Sequence, residues 1–169
     1  MIDYSGKEIC YNGCPGCAYA KHEFSLDCGI AYENDRFTLS HDWELPIYGF
    51  FVVCPKRHVE HLSDLSKDER DEMFDIVDNT IKILKSLNVC SEFNVVLEEM
   101  ADKHLHTWIM PRHKVFNEKF GNIIHNIDKI FAYAIENWKT QENINNINHL
   151  TKLVRKEFAK QGEGYDTRR

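Results

Sequence analysis

Lys103-His104-Leu105-His106-Thr107-Trp108-Ile109-Met110-Pro111-Arg112-His113 is the stretch on which the reading of this chain turns. In a strand, successive side chains point to opposite faces, so His104, His106 and Trp108 share one face and Leu105, Thr107 and Ile109 the other. Pro111 stops the run. The two imidazoles lie about 7 Å apart at Cα, from a rise of roughly 3.3 Å per residue. One reading is a partly buried polar strand whose rings must each find a partner. The other is a nucleophile or a metal ligand. Imidazole is neutral near pH 7 and has two distinct nitrogens. One nitrogen can attack phosphorus while a hydrogen bond to the other orients the ring.

Working outward, Phe93 to Leu97 (FNVVL) reads as the strand before it. Upstream, Ser66 to Asn88 is the clearest helix. Ser66-Lys67-Asp68-Glu69 forms a capping box, and Met73, Ile76, Val77, Thr80, Ile81, Leu84 and Leu87 make one apolar stripe. Gly49 to Cys54 (GFFVVC) is an apolar run of strand length ended by Pro55, with a basic turn, Lys56-Arg57-His58, after it. Ile30 to Asn34 and Arg36 to Leu39 read as two short strands around an Asn-Asp turn. The first 28 residues look irregular. Downstream, helices are predicted over roughly Asn117 to Trp138 and Asn145 to Lys160, joined by the polar QENINN stretch, with a frayed tail after Gly162. Antiparallel strands with helices packed on one side make an α+β arrangement.

The chain has 169 residues, 43% hydrophobic and 28% charged, as expected of a globular domain with its own core. No apolar run approaches the roughly 20 residues that cross a bilayer, and no secretory signal pattern opens the chain. The net charge of −6 disfavours a nucleic-acid scaffold but not a small phosphorylated ligand. Six cysteines in a chain of this length read as reduced thiols in the cytoplasm. Cys54 and Cys90 read as core thiols. Cys14-Pro15-Gly16-Cys17 fits a zinc knuckle, with two thiolates about one turn apart. The competing redox reading needs a strand before the motif and a helix after it, as in a thioredoxin-like unit.

HLHTWIMPR, residues 104–112, resembles the signature of the histidine triad (HIT) family, H-x-H-x-H-x-x, often followed by Pro-Arg. GFFVVCPKRHVEHLSDL, residues 49–65, is similar to the G-H-x-L-V-x-P-K-x-H-x-x-x-x-x-x-L segment of the same family. The order of elements matches as well, and the resemblance runs from about Cys14 to Arg112. It implies a HIT-like fold: an antiparallel sheet of about five strands with a long helix packed on it. Residues 1–113 then form a HIT-like domain with an N-terminal CxxC segment. Residues 114–169 form a helical extension packed on the same domain.

By this resemblance, His106 occupies the place of the nucleophile that takes a nucleotidyl group. Asp42 matches an acidic position that contacts the ribose. Cys14, Cys17, His58 and His104 match the four ligands of a structural zinc site. From the residues themselves, Cys10 and Cys28 are the competing partners in a Cys₄ set. Trp108 stands where the third histidine would be, either as a nucleotide contact or as an aromatic wall. Glu98-Glu99-Met100-Ala101-Asp102-Lys103 replaces a Gly-Gln-Ser/Thr stretch that binds phosphate. Its three carboxylates must point away or hold a cation, and Lys103 offsets them near a nucleotide. The resemblance further implies a homodimer with the helix Ser66 to Asn88 near its two-fold axis. The implied activity is hydrolysis or nucleotidyl transfer on diadenosine polyphosphates or nucleoside phosphoramidates.

Overall fold

The computed structural model describes residues 1–99 and 103–165, with side chains to residue 161. Among these, the order is α1 (Pro15–Ala20), β1 (Ile30–Glu33), β2 (Phe37–His41), β3 (Phe51–Pro55), α2 (Lys67–Ser86), β4 (Phe93–Glu98), β5 (His106–Pro111), α3 (Lys114–Phe120), α4 (Ile127–Trp138) and α5 (Gln141–Tyr165). The five strands form one sheet in the order β1-β2-β3-β5-β4, antiparallel throughout. This is the expected α+β, HIT-like architecture.

Alternation along the strands divides the molecule into two layers. Phe37 and Leu39 of β2, Phe51 and Val53 of β3, and Ile109 of β5 enter one core. The apolar stripe of α2 closes over them through Met73, Ile76, Val77, Ile83 and Leu84, joined by Leu150, Val154 and Phe158 of α5. On the opposite face, Val52, Met110 and Trp108 meet Phe116 of α3 and Ile130, Ala134 and Phe131 of α4. A third cluster ties Tyr4, Ile9 and Tyr19 to Ile144 and Ile147 at the start of α5.

The start of α2 also fixes the basic turn. Ser66 Oγ accepts from Glu69 N at 3.2 Å, and Glu69 accepts from Ser66 N at 2.8 Å. Arg57 donates to both Glu69 oxygens, at 2.7 and 2.9 Å, and to Asp64 O at 2.7 Å. Those donors, Arg57 first, hold the Glu69 carboxyl down to about 2. His58, one residue on, is thereby held at the mouth of the turn.

Five local readings differ from the sequence expectation. The Cys14–Cys17 segment opens a short helix, with Pro15 at its first turn, where the missing N–H costs no bond. Strand β5 starts at His106, not His104, because Lys103 takes a left-handed turn (φ 48°) and Leu105 N bonds across to Val59 O at 2.7 Å. The helix expected over 117–138 is broken at Gly121 (φ 68°), which ends α3. The polar QENINN stretch is helical, since α5 begins at Gln141. Thr140 Oγ1 accepts from Asn143 N at 3.2 Å there, and Ile144 turns inward. The helix also continues past Gly162 to Tyr165; residues 166–169 of the expected frayed tail lie outside the described residues.

Candidate active site and metal centre

Backbone geometry brings the four expected metal ligands together. One donor atom from each of Cys14, Cys17, His58 and His104 lies within 4.8 Å of all the others. Cys14 Sγ is 3.0 Å and Cys17 Sγ 3.7 Å from His104 Nδ1, and Cys17 Sγ is 3.4 Å from His58 Nδ1. His104 is buried, and its Nε2–H donates to Pro55 O at 2.9 Å. That bond puts the Nδ1 lone pair toward the thiols, the orientation a ligating histidine needs. Gly16 makes room for the ring: a Cβ built on it would stand 2.5 Å from His104 Nδ1. Burial, with Cys14 next, raises the Cys17 thiol above its ordinary value. A bound dication reverses that effect by stabilising thiolate. Two sulfurs and two imidazole nitrogens in this span suit a closed tetrahedral ion. Cys28 is buried in the third core cluster, so the Cys₄ alternative is not assembled.

Next to this cluster a cavity of about 590 Å³ opens on the second face of the sheet. His104, His106, Trp108, Val52 and Cys54 form its floor. His106 Nδ1–H donates to His104 O at 2.8 Å. The other nitrogen, Nε2, is then the one with a free lone pair. One residue therefore serves both centres: the His104 ring faces the thiols and its carbonyl orients His106.

Asp42 lines the same cavity. Its Oδ1 accepts from Glu44 N at 3.0 Å and Leu45 N at 2.8 Å, which closes the loop after β2. Burial lifts this carboxyl to about 6 against those two bonds. Trp108 is half-buried in the floor. Its ring meets Phe50 at 6.0 Å and Phe131 at 5.8 Å, both edge-on, and His106 at 5.9 Å. Lys103 is exposed and is not among the cavity's lining residues. Glu99 turns away from the cavity, accepting from Leu62 N at 2.8 Å and facing His61 Nδ1 at 3.3 Å. Glu98 stands opposite His106 in the β4–β5 register. Met100, Ala101 and Asp102 of this loop lie outside the described residues.

The rest of the lining was not singled out from sequence. Trp43 and Leu45 come from the loop after β2, Ile2 and Tyr11 from the N-terminal segment, Phe131 from the first half of α4, and Lys139 from just beyond its end. The 3.6-residue period of α4 marks Phe131 as inward, but nothing local says that what it faces is a cavity.

A five-stranded antiparallel sheet with a long helix on one face, and a histidine strand flooring a cavity on the other, defines the histidine-triad class of α+β proteins. The HIT domain family model matches residues 23–115, which include His58, His104, His106 and Trp108. The chain belongs to the HIT domain family. Cys14, Cys17 and the helices from α4 onward lie beyond that match. No curated protein matches the sequence. Among solved structures, a Zn-bound histidine triad family protein from Mycobacterium smegmatis is 15% identical, with a TM-score of 0.64 over 89% of this chain and 96% of that one. A hypothetical histidine triad nucleotide-binding protein from Sulfolobus tokodaii is 17% identical, TM-score 0.61, over 87% and 93%. A Hit-like protein involved in cell-cycle regulation from Bartonella henselae is 17% identical, TM-score 0.58, over 86% and 99%. At such identities the likeness is one of fold.

Proposed function

We propose that this protein is a hydrolase or nucleotidyl transferase acting on nucleoside phosphate derivatives, with His106 as nucleophile. The observation that carries the reading is the His106 Nδ1–H bond to His104 O inside the cavity, which leaves Nε2 to attack. Attack at the α-phosphorus forms a P–N bond as the bond to the leaving group breaks, and the leaving group departs with its electron pair. Water then attacks the same phosphorus, the P–N bond breaks, and the nucleoside monophosphate and neutral His106 are regenerated. Diadenosine polyphosphates and nucleoside phosphoramidates are the two substrate classes in view. In this reading Asp42 accepts from the ribose hydroxyls and Trp108 packs against the nucleotide, and the place of both in the cavity lining supports it.

Cys14, Cys17, His58 and His104 would hold zinc, which when bound cross-links the N-terminal segment, the turn after β3 and the approach to β5. The proposal includes a homodimer, a reducing compartment such as the cytoplasm, and residues 114–169 as an extension of the domain formed by 1–113. The relatives named above support it in kind: one is Zn-bound and another is described as nucleotide-binding.

The test is turnover of both substrate classes by wild type and His106→Ala. We expect the variant to lose several orders of magnitude of kcat with its melting temperature unchanged, and an alkaline quench to trap nucleotidyl-His106 for peptide mass spectrometry. An active enzyme indifferent to His106→Ala overturns the assignment. Metal analysis should find about one zinc per chain, lost in Cys14→Ser. A second reading, a nucleotide-binding module without turnover, is favoured by Trp108, whose packing against Phe50 and Phe131 puts a bulky one-donor side chain at the third triad position. Binding without turnover would select it.

A further inference from the structure

The charges that line the cavity are unevenly placed. Asp42 and Glu44 are carboxylates, and a polyphosphate entering beside them is repelled. Among the described lining residues, Lys139 is the one lysine or arginine side chain, and the N-terminal ammonium of Met1, also in the lining, donates to Ile9 O at 2.9 Å. It lies in the short link between α4 and α5, outside the residues matched by the family model. The link is pinned to the loop after β2: Asn143 Nδ2 donates to Pro46 O at 2.7 Å and to Trp138 O at 2.8 Å. Lys139 Nζ donates to the backbone oxygen of Asp3 at 3.1 Å. An ammonium carries three N–H donors, so this bond leaves two for a ligand. Its half-buried setting weakens the screening that makes exposed charges ineffective.

We infer that Lys139 is a specificity-determining residue that holds the anionic groups beyond the attacked phosphate, and so selects substrates with a polyphosphate leaving group over those with a neutral amine. The inference rests on the nucleotide reading of the cavity. When the bond from the α-phosphorus to the bridging oxygen breaks, the electron pair goes to the departing phosphate, and Lys139 stabilises that charge. Trp108 supplies no second cation there. An amine leaving group departs neutral once protonated, so it carries no anionic charge for Lys139 to hold.

The experiment compares wild type with Lys139→Gln and Lys139→Met. Glutamine keeps a donor for Asp3 O while removing the charge, and methionine keeps the aliphatic stem. Binding of adenosine monophosphate and triphosphate is followed by calorimetry. We expect both variants to bind the triphosphate about ten-fold more weakly, with the monophosphate changed less than three-fold. Where turnover is present, kcat/KM should fall by a similar factor for a diadenosine polyphosphate and stay level for a phosphoramidate. Melting temperature and metal content serve as controls on the fold, and Lys139→Gln stands alone if the methionine variant does not fold. Triphosphate binding unchanged in Lys139→Gln overturns the inference. Equal losses for monophosphate and triphosphate also overturn it, since Lys139 would then act on the fold or on the attacked phosphate. A wild type that shows the Lys139-dependent triphosphate preference yet turns nothing over upholds this inference and defeats the enzymatic reading.

Discussion

Gly16 and His41 show how single residues hold the site. The ring of His104 occupies the space a Gly16 side chain would take. Gly16→Ala should therefore push His104 off the thiols, at a cost of about 1–3 kcal/mol of overpacking. Chelator competition should show metal affinity at least ten-fold weaker, and native-like affinity in Gly16→Ala would refute the steric argument. His41 is fully buried beside Asp42, with its nitrogens 2.7 Å from Asp42 O and 2.9 Å from Ile47 O. Burial lowers it from 6.5 to about 4, although both carbonyls favour the charged ring. The unfolded chain takes up this proton below about pH 6.5 and the folded one only below about pH 4, so stability falls as pH drops through that window. The loss between pH 7.5 and pH 5 is about 2 kcal/mol. Asp42, raised to about 6, works in the opposite sense, because the folded state protonates it first. Denaturant melts of wild type and His41→Gln at the two pH values separate the terms. The variant should lose about 2 kcal/mol less than wild type on acidification, and equal losses would show that His41 does not stay neutral. The C-x-x-C pair and the H-x-H strand were legible in sequence because their residue types are rare and their spacing local, whereas the joining of His58 to them and the role of His106 came from the family resemblance. Gly16 was not legible, since its role exists only once residue 104 arrives from across the fold.

The strands and α2 were also legible, because period-2 and period-3.6 patterns are local and α2 carries its own capping box. Shorter elements were not. Helix α1 has six residues and no side-chain cap, so only Pro15 announced it. The break at Gly121 and the helical QENINN stretch went the other way, since inward-facing Ile144 and Ile147 outweigh an asparagine-rich surface. Strand β4 has its own consequence. It pairs with β5 on one side and forms an edge of the sheet, with Val95 44% exposed on it. Phe74, on α2, is 47% exposed. An open apolar edge is a site for strand pairing between chains, which agrees with the proposed homodimer. Val95→Lys should convert that dimer to a monomer by light scattering at micromolar concentration. A variant that keeps the wild-type mass would place the interface elsewhere.

At the scale of the molecule, the family-matched region builds the cavity floor, while Ile2 and Tyr11 on one side of it in sequence and Phe131 and Lys139 on the other build the walls. No sequence pattern links two segments that far apart, so this half of the site came only with the fold. Its consequence concerns susceptibility to cleavage. A molecule seated in the cavity touches both segments at once and acts as a removable clasp between them. Opening either wall then requires the occupant to leave, so each bound molecule should slow proteolytic nicking at both walls by the same factor, set by its concentration relative to Kd. Limited digestion with and without adenosine triphosphate, read by mass spectrometry of the first cuts, should show protection near residues 1–11 and 131–139 rising together. Protection of one wall alone would mean that ligands bridge the floor to that side only.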